Sequence, residues 1–158
     1  MFTSKLRSSA FRRRGFTLVE ILIVVIILGI LAAIVIPQFS NASQLSRANS
    51  LRGQLQILRS QIQFYKVQHN DILPNLITSQ WAQMQGTTNV GGTLDNTATG
   101  IFGPYVNKVP VNELNSLSTI AAAPGANVGW VYNAATGQIT ATNQTPTQIF
   151  NETTGVVQ

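Results

Sequence analysis

Apolar residues crowd into one stretch and then thin into a stripe. Residues 16–36, FTLVEILIVVIILGILAAIVI, carry a single charge, Glu20, and a single glycine, Gly29. As a helix this stretch would span about 31 Å, roughly the thickness of a bilayer core. Pro37 follows directly. It lacks an N–H and clashes with the preceding turn, so a kink or local melting near residues 33–37 is expected. Beyond it, Ala48, Leu51, Leu55, Leu58, Ile62 and Tyr65 recur every three or four positions, while Arg47, Arg52, Gln54, Arg59, Gln61 and Lys66 mostly lie off that line. The spacing predicts an amphipathic helix with one buried stripe, ending near Val67 or Asn70, before Asp71-Ile72-Leu73-Pro74. Gly53 weakens that helix without ending it. The stripe needs a cover, and a small sheet laid across it is the simplest one.

The remainder, residues 73–158, is rich in Asn, Thr, Gly, Ala and Gln. Leu76-Ile77 and Trp81 with Met84 fit a turn of helix or a packed loop. Residues 86–100 read as a loop or weak hairpin. Residues 101–106 and 109–111 read as short extended segments, limited by Pro104 and Pro110. Residues 115–126 read as loop. The clearest hairpin pairs residues 128–132 with 138–141 around Asn133–Gly137, and its bulky side chains are suited to cover the helix stripe. Ile149-Phe150 and Val156-Val157 are candidates for final contacts.

Charge changes the picture only at the N-terminus. The chain has 158 residues and a formal net charge of +5. Lys5, Arg7, Arg12, Arg13 and Arg14 all precede Phe16; from there on, five basic residues meet five acids. The basic total therefore belongs to a flanking tail, and a nucleic-acid partner is not expected. Arg47, Arg52, Arg59 and Lys66 are spread around their helix with few aromatics between them, which suits solvated faces or contacts between subunits. Arginines before an apolar span place the N-terminus in the cytoplasm and the body outside. An ordinary secretory signal has a shorter apolar core than this one. There is no cysteine, so neither a disulfide framework nor a cysteine metal site exists.

Few residues suggest chemistry. His69 is the only histidine, and a helix-terminal or exposed role suits it better than catalysis beside Asp71. No phosphate-binding glycine loop and no ligand cluster with metal spacing occurs. Glu20 is the unusual residue, because a carboxylate among isoleucines is expensive. Two readings stay open for it: partial hydration or protonation at the cytoplasmic interface, or pairing with a positive charge from a neighbouring chain. Were the chain cut after Gly15, Phe16 would carry a new amine one helical turn from Glu20. Gly29, Ala32 and Ala33 would allow close helix approach, although such residues are tolerated in any membrane helix.

The run Arg14-Gly15-Phe16-Thr17-Leu18-Val19-Glu20 ahead of a long apolar segment resembles the processing signature of type IV prepilins and type II secretion pseudopilins. The resemblance implies that a membrane prepilin peptidase cuts between Gly15 and Phe16 and methylates the amine of Phe16. It assigns Glu20 to self-assembly and Pro37 to the helix bend. The segment 103–112, GPYVNKVPVN, with Gly129-Trp130-Val131-Tyr132 and Gly137, is similar to the head of the major-pseudopilin (protein G-like) branch. That branch binds calcium through an acidic C-terminal loop, whereas here Glu113 and Glu152 are the only acids after Asp95, so no cofactor is expected. Many type IV pilins close that loop with a disulfide, which this chain cannot form.

The implied fold is α+β and pilin-like: a long N-terminal helix, membrane-spanning in its first half, packed against a small antiparallel sheet. The implied organisation is a cleaved basic leader (1–15), a transmembrane helix (16–36), its amphipathic continuation (37–72) and an extracytoplasmic β-rich head (73–158). The implied role is a non-enzymatic subunit of a type II secretion pseudopilus in the bacterial inner membrane, with its head in the periplasm. Its partners would be the peptidase, copies of itself, minor pseudopilins, the lipid bilayer, and an assembly platform with a separate motor ATPase. A type IV pilus subunit and a membrane-tethered binding module that never polymerises are the alternatives.

Overall fold

A computed structural model describes residues 15–95, 97, 100–143 and 145–153. Most of the leader and the Val156-Val157 contact lie outside the described residues. The chain divides into two compact units, Met1–Ser40 and Asn41–Gln158. One helix, α1 (Leu18–Gln68), contributes residues to both.

In the first unit α1 has no polar face. Its segment Leu18–Ile36 has a mean hydropathy of 3.3, and none of it is buried. Among the described residues it is the one helix long and apolar enough to cross a membrane. The helical assignment runs unbroken through Pro37. The expected local melting is therefore absent: a proline forfeits one backbone hydrogen bond, and the turns on either side keep theirs.

The second unit forms where the stripe begins. Ala48, Leu51, Leu55, Leu58, Ile62 and Tyr65 are all buried, as their spacing predicts. Two short helices follow, α2 (Leu76–Ser79) and α3 (Ala82–Gln85), which bring Leu76, Trp81 and Met84 into the same core. The sheet has three strands in the order β1 (Ile120–Ala121), β2 (Trp130–Asn133), β3 (Gln138–Ala141). β2 and β3 form the predicted hairpin, with Trp130 opposite Ala141 and Tyr132 opposite Ile139. Trp130, Tyr132 and Ile139 point inward and share the core with the helix stripe. Full burial of side chains of this size stabilises by about 1.5–3 kcal/mol each.

The sheet is mixed rather than antiparallel. β1 lies in a segment read as loop and pairs parallel to β2, Ile120 opposite Trp130. A two-residue strand leaves no alternation to detect, and what fixes it is remote: Gln80 Oε1 accepts the Ile120 N–H at 2.7 Å, and Gln80 Nε2–H donates to the Ile120 carbonyl at 2.9 Å. The 86–100 segment closes as a weak hairpin through a Thr88–Leu94 bridge, and Thr88 also bridges Phe102. Asn112 is buried and ties the 109–112 segment to the sheet, its Nδ2–H donating to the carbonyls of Gly129 (2.9 Å) and Thr142 (2.8 Å).

The hairpin turn needs Gly137. Its φ is +73°, and a Cβ there would lie 2.6 Å from Leu73 Cδ2. Only glycine adopts this conformation freely and leaves that space.

Candidate functional site

A helix leaves its first four N–H groups without intrahelical acceptors. At the start of α1 the chain answers with Thr17 and Glu20. Glu20 Oε2 accepts the Thr17 N–H at 2.8 Å and the Thr17 hydroxyl at 2.9 Å, while Thr17 Oγ1 accepts the Glu20 N–H at 3.2 Å. With Thr17 at the N-cap and Glu20 three residues on, this is a capping box. A carboxylate there also faces the positive end of the helix dipole. Glu20 is therefore not an isolated charge. The reading of Glu20 as a residue awaiting an outside partner missed Thr17, although Thr17-Leu18-Val19-Glu20 carries the capping pattern.

The residues ahead of the cap are open. Gly15 and Phe16 precede the helix, a Cβ on Gly15 would meet nothing within 4 Å, and Phe16 is 81 % exposed. The Gly15–Phe16 peptide bond thus sits in non-helical, accessible backbone, four to five residues from a fixed carboxylate. Gly29, farther along, also has nothing within 4 Å of a built Cβ.

His69 follows the end of α1 as expected, but it is buried rather than exposed. Its ring stacks on Tyr65 at 3.8 Å. Nδ1 lies 2.7 Å from the Tyr65 carbonyl, which can only accept, so Nδ1 carries the proton and Nε2 accepts the Thr88 hydroxyl at 2.8 Å. Both ring nitrogens are spent on tying helix to loop. Burial pushes the neighbouring Tyr65 phenol up to about 12, and its hydroxyl donates to the Gly92 carbonyl at 3.0 Å.

The basic residues of α1 are partly committed inside the head. Arg59 donates to the Ile139 carbonyl (3.1 and 2.9 Å) and to both oxygens of Glu152 (2.9 and 2.5 Å). Arg52 donates to the Glu152 backbone carbonyl at 2.9 Å. The hydrogen bond from Arg59 holds the Glu152 carboxyl below the usual carboxylate range. Lys66 lies 3.6 Å from Asp71.

Comparison with known proteins agrees with the site's geometry. Residues 10–36 match the prokaryotic N-terminal methylation motif. The chain is similar to the type II secretion system core protein G of Pectobacterium carotovorum subsp. carotovorum, 36% identical over 62 residues, which is 39% of this chain and 40% of that protein. It is similar to the type IV major fimbrial protein FimA of Dichelobacter nodosus, 56% identical over 46 residues, 27% of this chain and 30% of that protein. It is also similar to the ComG operon protein 3 homolog of Bacillus licheniformis, 32% identical over 62 residues, 39% of this chain and 64% of that protein. The chain covers about two fifths of the length of the core protein G relative. No solved structure matches it. The chain carries a prokaryotic N-terminal methylation motif and, over 46 to 62 residues, is homologous to type II secretion core protein G and to the type IV major fimbrial protein.

Proposed function

We propose that this chain is the precursor of a filament subunit, built into the pseudopilus of a type II secretion system. A prepilin peptidase cuts between Gly15 and Phe16 and methylates the amine of Phe16. The cut removes five positive charges and leaves a chain whose basic and acidic residues balance. The precursor sits in the inner membrane with its leader in the cytoplasm and its head in the periplasm. Assembly transfers the apolar half of α1 from lipid to a core of its own copies, with Pro37 as the point of bending. Glu20 pairs with the amine of a neighbour's Phe16. Minor pseudopilins, an inner-membrane platform and a separate motor ATPase complete the machine.

One observation carries this reading: an open Gly15–Phe16 bond stands directly before a 19-residue apolar span that carries a capped Glu20 in its first turn and that the chain's own fold leaves wholly uncovered. Such a span requires lipid or other helices around it. The matches to core protein G relatives are longer, 56 to 62 residues against 46 for the fimbrial protein, and support the secretion role. The higher identity to the fimbrial protein, 56%, favours a surface pilus as the second reading. Neighbouring genes for a secretin and secretion channel, against a retraction ATPase gene, separate the two.

The residues do not fit the calcium site of the protein G-like branch. Glu152, the acid nearest the C-terminus, is engaged by Arg59, and among the described residues no three His, Cys, Asp or Glu side chains gather. The reading therefore includes no cofactor.

The test is intact mass on protein extracted from membranes that contain an active prepilin peptidase. A chain beginning at Phe16 and one methyl group heavier than its sequence is expected. A chain beginning at Met1 would overturn the assignment and leave a tethered binding module.

A further inference from the structure

The head has an open groove of about 440 Å³ between α1 and the segment that follows Tyr105. Ile57, Val109 and Val111 line it, each at least 40 % exposed. Gln54 lines it too, and Gln54 Oε1 is buried without a hydrogen-bond partner among the described residues. A buried acceptor left unpaired is costly. Two opposite charges, Lys108 and Glu113, also line the groove and form no ion pair among the described residues.

The same head carries a matching ridge. At the end of α1, Val67 is 76 % exposed and Ile72 44 %, and the Lys66–Asp71 pair lies beside them, with Asp71 almost fully solvated. At about 100° per residue, Val67 lies roughly 140° around the helix from Gln54 and about 80° from Ile57. Groove and ridge therefore occupy different sides of one element. Distinct complementary patches on different sides give a head-to-tail contact that repeats without closing, the kind a filament needs.

We infer that this groove receives the ridge of a second copy of the chain. The inference deepens the filament reading and rests on it. Val67 and Ile72 of the neighbour lie against Ile57, Val109 and Val111. The neighbour's Lys66 ammonium faces Glu113, while its Asp71 faces Lys108. Apolar burial holds the contact, and the paired charges fix its polarity.

The chain has no cysteine, so engineered thiols report without background. The full chain carrying Val67→Cys and Val109→Cys is expressed with its assembly machinery, sheared filaments are collected, and mild oxidation is applied. A ladder of dimers, trimers and higher multimers is expected from the double variant. Either single variant should stay monomeric, as should Val67→Cys combined with Ala123→Cys. Filaments that form without a ladder would overturn the groove while leaving the subunit assignment intact. Efficient dimers from Val109→Cys alone would overturn it as well, since they mean a symmetric contact. Absence of filaments from the unmodified chain would remove the subunit reading and this inference with it. Lys108→Glu gives a second readout: unchanged melting of the detergent-solubilised monomer with filament yield reduced about tenfold. An unchanged filament yield would count against the Asp71–Lys108 contact and overturn the docking as described.

Discussion

Removing the Arg59 head group should unlock the C-terminal segment from α1. Arg59→Met keeps the aliphatic stem and deletes the guanidinium. Two losses follow. The Ile139 carbonyl loses two N–H donors at 3.1 and 2.9 Å, and Glu152 loses its bidentate partner. The carbonyl contact is worth about 1 kcal/mol net, as typical intramolecular hydrogen bonds are. The ion pair is about one third exposed on both sides, 36 % and 35 %, so solvent screening limits it to about 1 kcal/mol. The sum, about 2 kcal/mol, corresponds to a fall in Tm of roughly 8 °C for a head of this size. Trp81 and Trp130 are both buried in the head core, so tryptophan fluorescence of the detergent-solubilised chain follows the unfolding of the head.

The acid dependence supplies the sharper check. Arg59 lowers the Glu152 carboxyl in the folded state. A lowered acid stabilises the fold fully above its unfolded value, about 4.3 for glutamate, and that contribution is lost as pH falls through the lower folded value. The Tm gap between wild type and Arg59→Met should therefore be widest near neutral pH and shrink by about half below pH 4. A gap under about 2 °C at pH 7, or one that stays constant from pH 7 to pH 3, would refute the reasoning.

Other outcomes follow from single contacts. Gly137→Val should cost about 2–3 kcal/mol in head unfolding, from a φ of +73° and a built Cβ 2.6 Å from Leu73, and an unchanged Tm would show that the turn rearranges. Tyr132→Phe should be neutral or stabilising by up to about 1 kcal/mol, because the Tyr132 hydroxyl is buried with no partner among the described residues; a clear loss of Tm would reveal a hidden acceptor. Gly15→Leu should accumulate uncut precursor on a membrane immunoblot. Glu20→Ala should be cut normally yet yield few filaments, and normal filaments would remove Glu20 from assembly.

The helix was legible because its signals are local and repeated. Six positions at spacing three and four named the buried stripe, and every one of them is buried. The hairpin was legible for the same reason, since β2 and β3 alternate and are joined by a glycine turn. What the sequence did not disclose depends on partners far along the chain. β1 exists because Gln80 holds both backbone groups of Ile120 from 40 residues away. Arg59 reads as a solvated helix charge until Glu152, 93 residues later, is placed beside it. His69 reads as exposed until Thr88 and Tyr65 close around its ring. The candidate site divides likewise. Gly15, Phe16 and Glu20 are named by their order alone, whereas the Gln54 groove exists only once residues 105–113 return to α1.

Thr17 joins the two roles that Glu20 was offered. A carboxylate at membrane depth costs several kcal/mol unless its lone pairs are used. The capping box uses Oε2 twice, through the Thr17 N–H and hydroxyl. Under the proposed cleavage between Gly15 and Phe16 both donors would survive, because the Phe16–Thr17 peptide would stay intact. The cap would then accompany the subunit from precursor to product. It also leaves Oε1 for an ammonium group, since an ionised carboxylate accepts on both oxygens. On this argument Thr17 orients Glu20 rather than competing for it. Thr17→Val should keep cleavage at Gly15 but lower filament yield, and Thr17→Ser, which restores the hydroxyl, should recover most of it. Equal filament yields from the valine and serine variants would show that the cap plays no part in assembly.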